Sequence, residues 1–182
     1  AGVEDAALSA LLQEHWDATM RRWPTWATQL GDHRFDDRLA ESGPDAWQAM
    51  RDGLSYWIDK TESIDPSTLN EQDRLTRDVL MSILSGEQGK AICFSEQWSL
   101  SPRSNAFSSL VRLPEDHPVR SVGDGDNLIE RYKAIPKVIE NDIANIRLGI
   151  EAGRVTTRES TRRTIELISD ALAKPVSERS IL

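Results

Sequence analysis

Apolar residues recur at spacings of three and four through most of the chain. From Glu4 to Trp23 they fall at Leu8, Leu11, Leu12, Trp16, Met20 and Trp23, one face of a helix over 4–23. Glu4 and Asp5 suit the positive end of its dipole. Pro24 disfavours helical geometry at Trp23 and can open a new first turn, which predicts a short helix over 24–30 closed by Gly31. Ser42, Gly43 and Pro44 introduce a helix over 44–63 whose stripe is Trp47, Met50, Leu54, Trp57 and Ile58. After the Asp65-Pro66 turn, Asn70 and Asp73 have the spacing of a capping box. They predict a helix over 71–90 with Leu75, Val79, Leu80, Ile83 and Leu84 inward, weakened late by Gly86 and Gly89.

The pattern then lapses. Residues 93–125 hold Pro102, Pro114, Pro118, Gly123 and Gly125 and read as an irregular crossing with one short helix near Phe107–Leu113. Periodicity returns with the strongest run in the chain, Leu128, Tyr132, Ile135, Ile139, Ile143, Ile146 and Ile150, predicting a helix over 126–152. Pro136 should kink it, and Gly149 and Gly153 should end it. Thr156 with Glu159 suggests a cap for a last helix over 157–173, carrying Ile165, Ile168 and Leu172. No strand pattern competes, so the expected class is all-α, antiparallel helices in a single portion over 1–182. The tail Val176–Leu182 closes on Ile181 and Leu182 without a polar finish, as though more protein should follow.

Composition narrows the partners. With 38% hydrophobic and 29% charged residues, the chain should fold rather than stay disordered. A net charge of -8 repels a phosphate backbone, so no nucleic-acid partner is expected. Cys93 is the only cysteine, which excludes an internal disulfide and a Cys-rich zinc cluster and suggests small core filler. No apolar run is long enough for a membrane span. The first residues carry no basic-then-apolar leader, which fits a secreted or periplasmic product after leader removal as well as a cytoplasmic one.

The densest chemistry lies in Leu30–Leu39, where Asp32, His33, Arg34, Asp36, Asp37 and Arg38 sit between apolar ends. The simpler reading is a structural clamp, with the three aspartates paired to Arg34 and Arg38 and with Phe35 and Leu39 anchored in the core. The sharper reading places His33 or Arg38 on the wall of a cleft completed by further protein, facing a peptide carboxylate or a metal-bound intermediate. His33 with Asp36 supplies only two metal ligands. His15, His33 and His117 are the only histidines, and none has a histidine partner at helical spacing, so no catalytic or metal residue is assigned in this chain. Trp16, Trp23, Trp26, Trp47 and Trp57 have helical spacing, which favours core over a ligand platform. Arg154, Arg158, Arg162 and Arg163 form a basic cluster that could take an anion, but Arg158 and Arg162 are interleaved with Glu159 and Glu166, which predicts a self-paired, solvated face.

Three landmarks in order resemble the N-terminal part of the bacterial family called domain of unknown function 885. The first is Leu30, Gly31, His33, Asp36 or Asp37, Arg38 and Leu39; the second is His117, Pro118, Arg120 and Ser121 opening a long helix with Ile135-Pro136 inside it. The third is Gly149, Ile150, Ala152, Gly153, Val155 and Arg158. The chain departs from the family around Ser99–Ser109, where Ser-Pro-Arg-Ser-Asn replaces the usual Leu-Asn-Gln before Gly-Pro. The resemblance implies an all-helical, metallopeptidase-like hydrolase whose zinc motif, His-Glu-x-x-His, lies downstream of these residues. Zinc is thus implied for the complete protein, with none held in this chain. The expected partners are the remainder of the polypeptide or a separate catalytic chain, and a peptide substrate. On this view the chain is a helical wall of the cleft. The rival is a stand-alone helical module that binds a protein or peptide without catalysis.

Overall fold

The computed structural model describes residues 2–175; the tail Val176–Leu182 lies outside the described residues. Eight α-helices follow in order: α1 (Ala6–Arg22), α2 (Pro24–Gln29), α3 (Pro44–Glu62), α4 (Glu71–Ala91), α5 (Ala106–Leu110), α6 (Leu113–Asp116), α7 (Val122–Glu151) and α8 (Arg158–Ala173). Three 3₁₀ turns, His33–Phe35, Pro66–Thr68 and Ser95–Gln97, complete the regular structure among the described residues. There is no strand among the described residues, and the fold is all-α. No helix among them is long and apolar enough to cross a membrane. The chain packs as two compact units, one from Ala1–Thr19 with Asp45–Phe94, the other from Met20–Pro44 with Ser95–Leu182.

The first unit closes on leucines. Leu11, Leu54, Leu80 and Leu84 form its core, with Leu12, Trp57, Ile58 and Ile64 packed against them. Each such side chain is worth about 1.5–3 kcal/mol on burial. The Asn70 side chain caps α4 by accepting from the Asp73 N–H at 2.8 Å. Asp73 does not return the bond. Its buried carboxylate accepts instead from the backbone N–H groups of Glu4 and Asp5, at 3.1 and 2.8 Å, and ties the start of the chain to α4. Of the five residues expected inward on α4, only Leu80 and Leu84 are buried, while Leu75, Val79 and Ile83 are more than half or half exposed at 58%, 50% and 54%. A single stripe this wide exceeds what one helical face can cover. Cys93 is exposed, not core filler. Phe94 takes a left-handed φ of 47°, and the Arg51 guanidinium stacks on its ring at 4.6 Å.

The second unit holds α2 and α5–α8. α7 starts at Val122 rather than Asp126 because Ser121 and Asp124 form a reciprocal capping box, which takes Gly123 and Gly125 into its first turns. It continues through Pro136. The residues buried on α7 are Arg131, Asn145 and Gly149, whereas Ile139, Ile143 and Ile150 of the predicted stripe are exposed. Asn145 donates to the Ser42 carbonyl at 2.7 Å. Gly149 marks a close approach, since a Cβ there would run into the Gln97 carbonyl of the Ser95–Gln97 turn. Gly153, at φ +71°, follows the helix as its left-handed closing residue. α8 is capped by Thr157, which accepts from the Ser160 N–H. Thr156 donates instead to the Leu100 carbonyl at 3.2 Å. The predicted crossing contains α5 and α6, two short helices where one was expected. Among the tryptophans, Trp16, Trp23 and Trp26 are exposed, so the expectation of a tryptophan core fails for these three.

Candidate functional site

The Leu30–Leu39 stretch leaves α2 through Gly31, whose φ of +85° only glycine adopts freely, and the Asp32 N–H then bonds back to the Ala27 carbonyl at 2.9 Å. Asp32 caps the His33–Phe35 turn by accepting from the Arg34 N–H at 3.2 Å. The Arg34 guanidinium folds over the same carboxylate, with Nη2 donating to Asp32 Oδ2 at 2.6 Å. That guanidinium holds the Asp32 carboxyl below its ordinary pKa. Phe35 packs with Met20 and Ala27 and anchors the turn.

Asp36 turns inward. Its carboxylate is buried, accepts from the Thr28 hydroxyl at 2.5 Å and meets His33 Nδ1 at 2.7 Å. His33 is the outer member of that pair, 62% exposed against 6% for Asp36. Arg38 Nε bonds only its neighbour Asp37, at 3.2 Å on the surface. The stretch therefore contains the Arg34–Asp32 and Arg38–Asp37 pairs, while Asp36 takes neither arginine of the stretch as partner.

What holds the backbone in this pose comes from α7. Arg131 is fully buried and aims its whole fork at the stretch and its surroundings. Nε donates to the Arg38 carbonyl at 2.9 Å. Nη2 donates to Thr28 Oγ1 at 2.7 Å, to the Pro24 carbonyl at 3.1 Å and to the Phe35 carbonyl at 3.3 Å. Nη1 lies 2.7 Å from His117 Nδ1. The other ring nitrogen of His117, Nε2, lies 2.9 Å from the Asp124 carbonyl, which only accepts. The hydrogen-bond pattern thus assigns the proton to Nε2 and makes Nδ1 the acceptor for Arg131. Asp36 Oδ1 stands 3.9 Å from Nη2, close enough to compensate the buried charge without a direct bond. Burial pushes the Arg131 pKa down and Asp36 pushes it back up, and a guanidinium remains charged under both influences.

A buried cation costs several kcal/mol unless its donors are satisfied. Here every nitrogen of the fork has at least one acceptor, from three carbonyls, one hydroxyl and one imidazole nitrogen. Three of those acceptors are main-chain carbonyls, Phe35 and Arg38 within the stretch and Pro24 at the start of α2. The arrangement fixes the path of the loop while its outer side chains, His33, Arg34, Asp37 and Arg38, stay exposed.

The sequence reading missed Arg131. The signal was present: it lies three residues after Leu128 and four before Ile135, on the apolar line of the helix. An arginine on such a line needs buried acceptors.

Metal chemistry finds no donor set here. No group of three or more His, Cys, Asp or Glu side chains among the described residues could hold a metal ion. His15 stands edge-on to Trp57 with ring centroids 5.2 Å apart, and His33 and His117 are committed to Asp36 and Arg131. These residues do not fit a zinc ion. A family model described as bacterial protein of unknown function (DUF885) matches residues 24–181. No curated protein matches the chain.

Proposed function

The chain belongs to the DUF885 family of bacterial proteins of unknown function, and on that premise we propose that it is the helical, non-catalytic portion of a peptidase-like hydrolase. In this reading the Leu30–Leu39 loop lines the cleft in which a peptide lies, and the groups that cleave it come from outside these residues. One observation carries the reading: a fully buried arginine with five acceptors fixes the backbone of an otherwise exposed loop. A loop that only connects two helices has no need of so costly a support, whereas a surface that must hold a ligand gains from being fixed in advance. The exposed side chains of His33, Arg34 and Arg38 suit a peptide carboxylate or a polarised carbonyl.

The test uses the whole polypeptide that the gene encodes, assayed against a mixture of short fluorogenic peptides. Hydrolysis is expected, and the Arg38→Ala variant, which loses only a surface contact to Asp37, should lose about tenfold or more in kcat/KM with an unchanged melt, as for an interaction made only with substrate. A whole polypeptide that binds peptides without cleaving them would replace this reading with the helical binding module. Full activity in the Arg38→Ala variant would remove the loop from the cleft.

A further inference from the structure

The second unit contains a cleft of about 380 Å³ that neither the Arg131 frame nor the outer face of the loop uses. Its apolar lining includes Leu39, Leu110 and Val138. Its polar lining includes two arginines, Arg103 and Arg112, and one carboxylate, Asp116. The volume is that of a site for a small ligand, and the pairing of an aliphatic floor with a few charged groups is how such sites fix orientation.

The charges are not equivalent. Asp116 is committed, because the Gln29 side-chain amide donates to it at 2.6 Å. Arg112 has only a loose pair, its Nε 3.8 Å from Glu115 with both side chains about 70% exposed or more. Arg103 has no hydrogen-bond or ion-pair partner among the described residues. Yet the turn that carries it is strongly braced. Ser101 and Ser104 exchange both backbone hydrogen bonds at 3.0 and 3.1 Å across it. Asn105 donates to the Ser101 carbonyl at 2.7 Å while capping α5, and the Ser108 hydroxyl donates to the Pro102 carbonyl at 2.9 Å. The Ser42 hydroxyl, also on the cleft lining, is buried without a partner among the described residues. A guanidinium held out on a rigid turn beside an apolar floor is complementary to an anion with an aliphatic body, a local positive patch that acts against the net charge of -8.

The geometry points to a binding site for the free carboxylate end of a peptide bearing an aliphatic last residue, with the side chain on Leu39, Leu110 and Val138 and the carboxylate on Arg103 and Arg112. The site stands independently of whether the complete protein cleaves peptides.

Titration of the 182-residue chain with N-acetyl-leucine, followed by two-dimensional amide NMR, tests it. Saturable shifts are expected around Leu39, Leu110 and Val138, and N-acetyl-leucinamide should bind about tenfold more weakly because a charge-assisted bidentate contact is lost. The Arg103→Gln/Arg112→Gln double variant should lose the preference for the acid over the amide while keeping its melting temperature, since both side chains are exposed. Equal binding of acid and amide, or no saturation by about 10 mM, would overturn the proposal. Inorganic phosphate competing as well as the acyl amino acid would overturn it too, leaving only a basic patch without an aliphatic subsite.

Discussion

In the first unit the core is four leucines from three helices; in the second the deepest side chains of the longest helix are an arginine and an asparagine. The leucines contribute by area, and any side chain of similar volume in an allowed rotamer would serve nearly as well. Arg131 contributes by direction, through five bonds to atoms whose positions it thereby determines. An apolar core holds helices together and leaves loops to find their own paths. A buried guanidinium bound to loop carbonyls specifies the path itself, at the cost of desolvating a charge. The contrast places geometric demand in the second unit, at the Leu30–Leu39 stretch.

The hardest test of that contrast is Arg131→Met, which keeps the volume and removes every donor. Three carbonyls, the Thr28 hydroxyl and His117 Nδ1 lose a partner, and the buried Asp36 loses its nearest buried cation. Urea unfolding should report a loss of about 3–5 kcal/mol. Arg131→Lys keeps the charge but not the fork, and should recover less than half of this because one ammonium cannot span five acceptors. A Met variant within about 1 kcal/mol of the parent would mean that the polar core is no more directional than the apolar one.

The first unit should behave in the opposite way. Leu84→Ala opens a cavity in a 2% exposed site and should cost about 2–4 kcal/mol by the same measurement. Leu84→Met preserves volume and should cost less than about 1.5 kcal/mol. The ratio of the conservative to the disruptive variant is the informative number, small for Leu84 and large for Arg131. Similar ratios at the two sites would erase the distinction.

The same distinction explains what could be read in advance. Every helix of the first unit was legible, because α1, α3 and α4 are set by apolar periodicity, by Pro44 and by the Asn70 cap, all local signals. Which apolar residues would be covered was less so: Leu75, Val79 and Ile83 share the period of Leu80 and Leu84 and still face outward, since burial depends on neighbours that spacing does not record. In the second unit the period of α7 gave the helix but misplaced its inner face, because the buried positions Arg131 and Asn145 are polar and count against burial in any hydropathy pattern. The charged stretch was visible by density. Its support was not, because Arg131 and the Phe35 and Arg38 carbonyls are about a hundred residues apart in sequence.

Gly149 offers a smaller test within the second unit, one of contact rather than bonding. Its missing side chain lets α7 lie against the Gln97 carbonyl, and Gln97 in turn accepts from Arg154 through its side chain at 3.0 Å. Gly149→Ala must push backbone away from backbone. A loss of about 1–3 kcal/mol is expected, with amide shifts at Gln97 and Arg154. Gly89→Ala in α4, where an added Cβ meets nothing, should instead stabilise by up to about 1 kcal/mol. A neutral Gly149→Ala would show that the second unit has slack where its geometry implies none.

The smallest effect belongs to polar contacts that lack burial. On α8 the Glu159 carboxylate accepts from Arg162 and Arg163, the closest contacts at 2.7 and 2.6 Å, on a fully solvated surface. These bonds lower its pKa from 4.5 to about 2. A folded-state pKa below the unfolded one means that the contribution is complete above about 4.5 and disappears as pH falls through 2, with no change between neutral pH and 5. Water and salt screen the pair, so its share of stability should be slight although the titration shift is large. Carbon-detected NMR of the side-chain carboxyl should find a midpoint near 2, moving back toward 4.5 in the Arg162→Gln/Arg163→Gln variant, while urea melts of Glu159→Gln at neutral pH stay superimposed on the parent. A midpoint near 4.5 in the parent would show that the α8 pairs are not formed in solution. A Glu159→Gln melt displaced as far as that of Arg131→Met would show that burial does not separate strong polar contacts from weak ones in this protein.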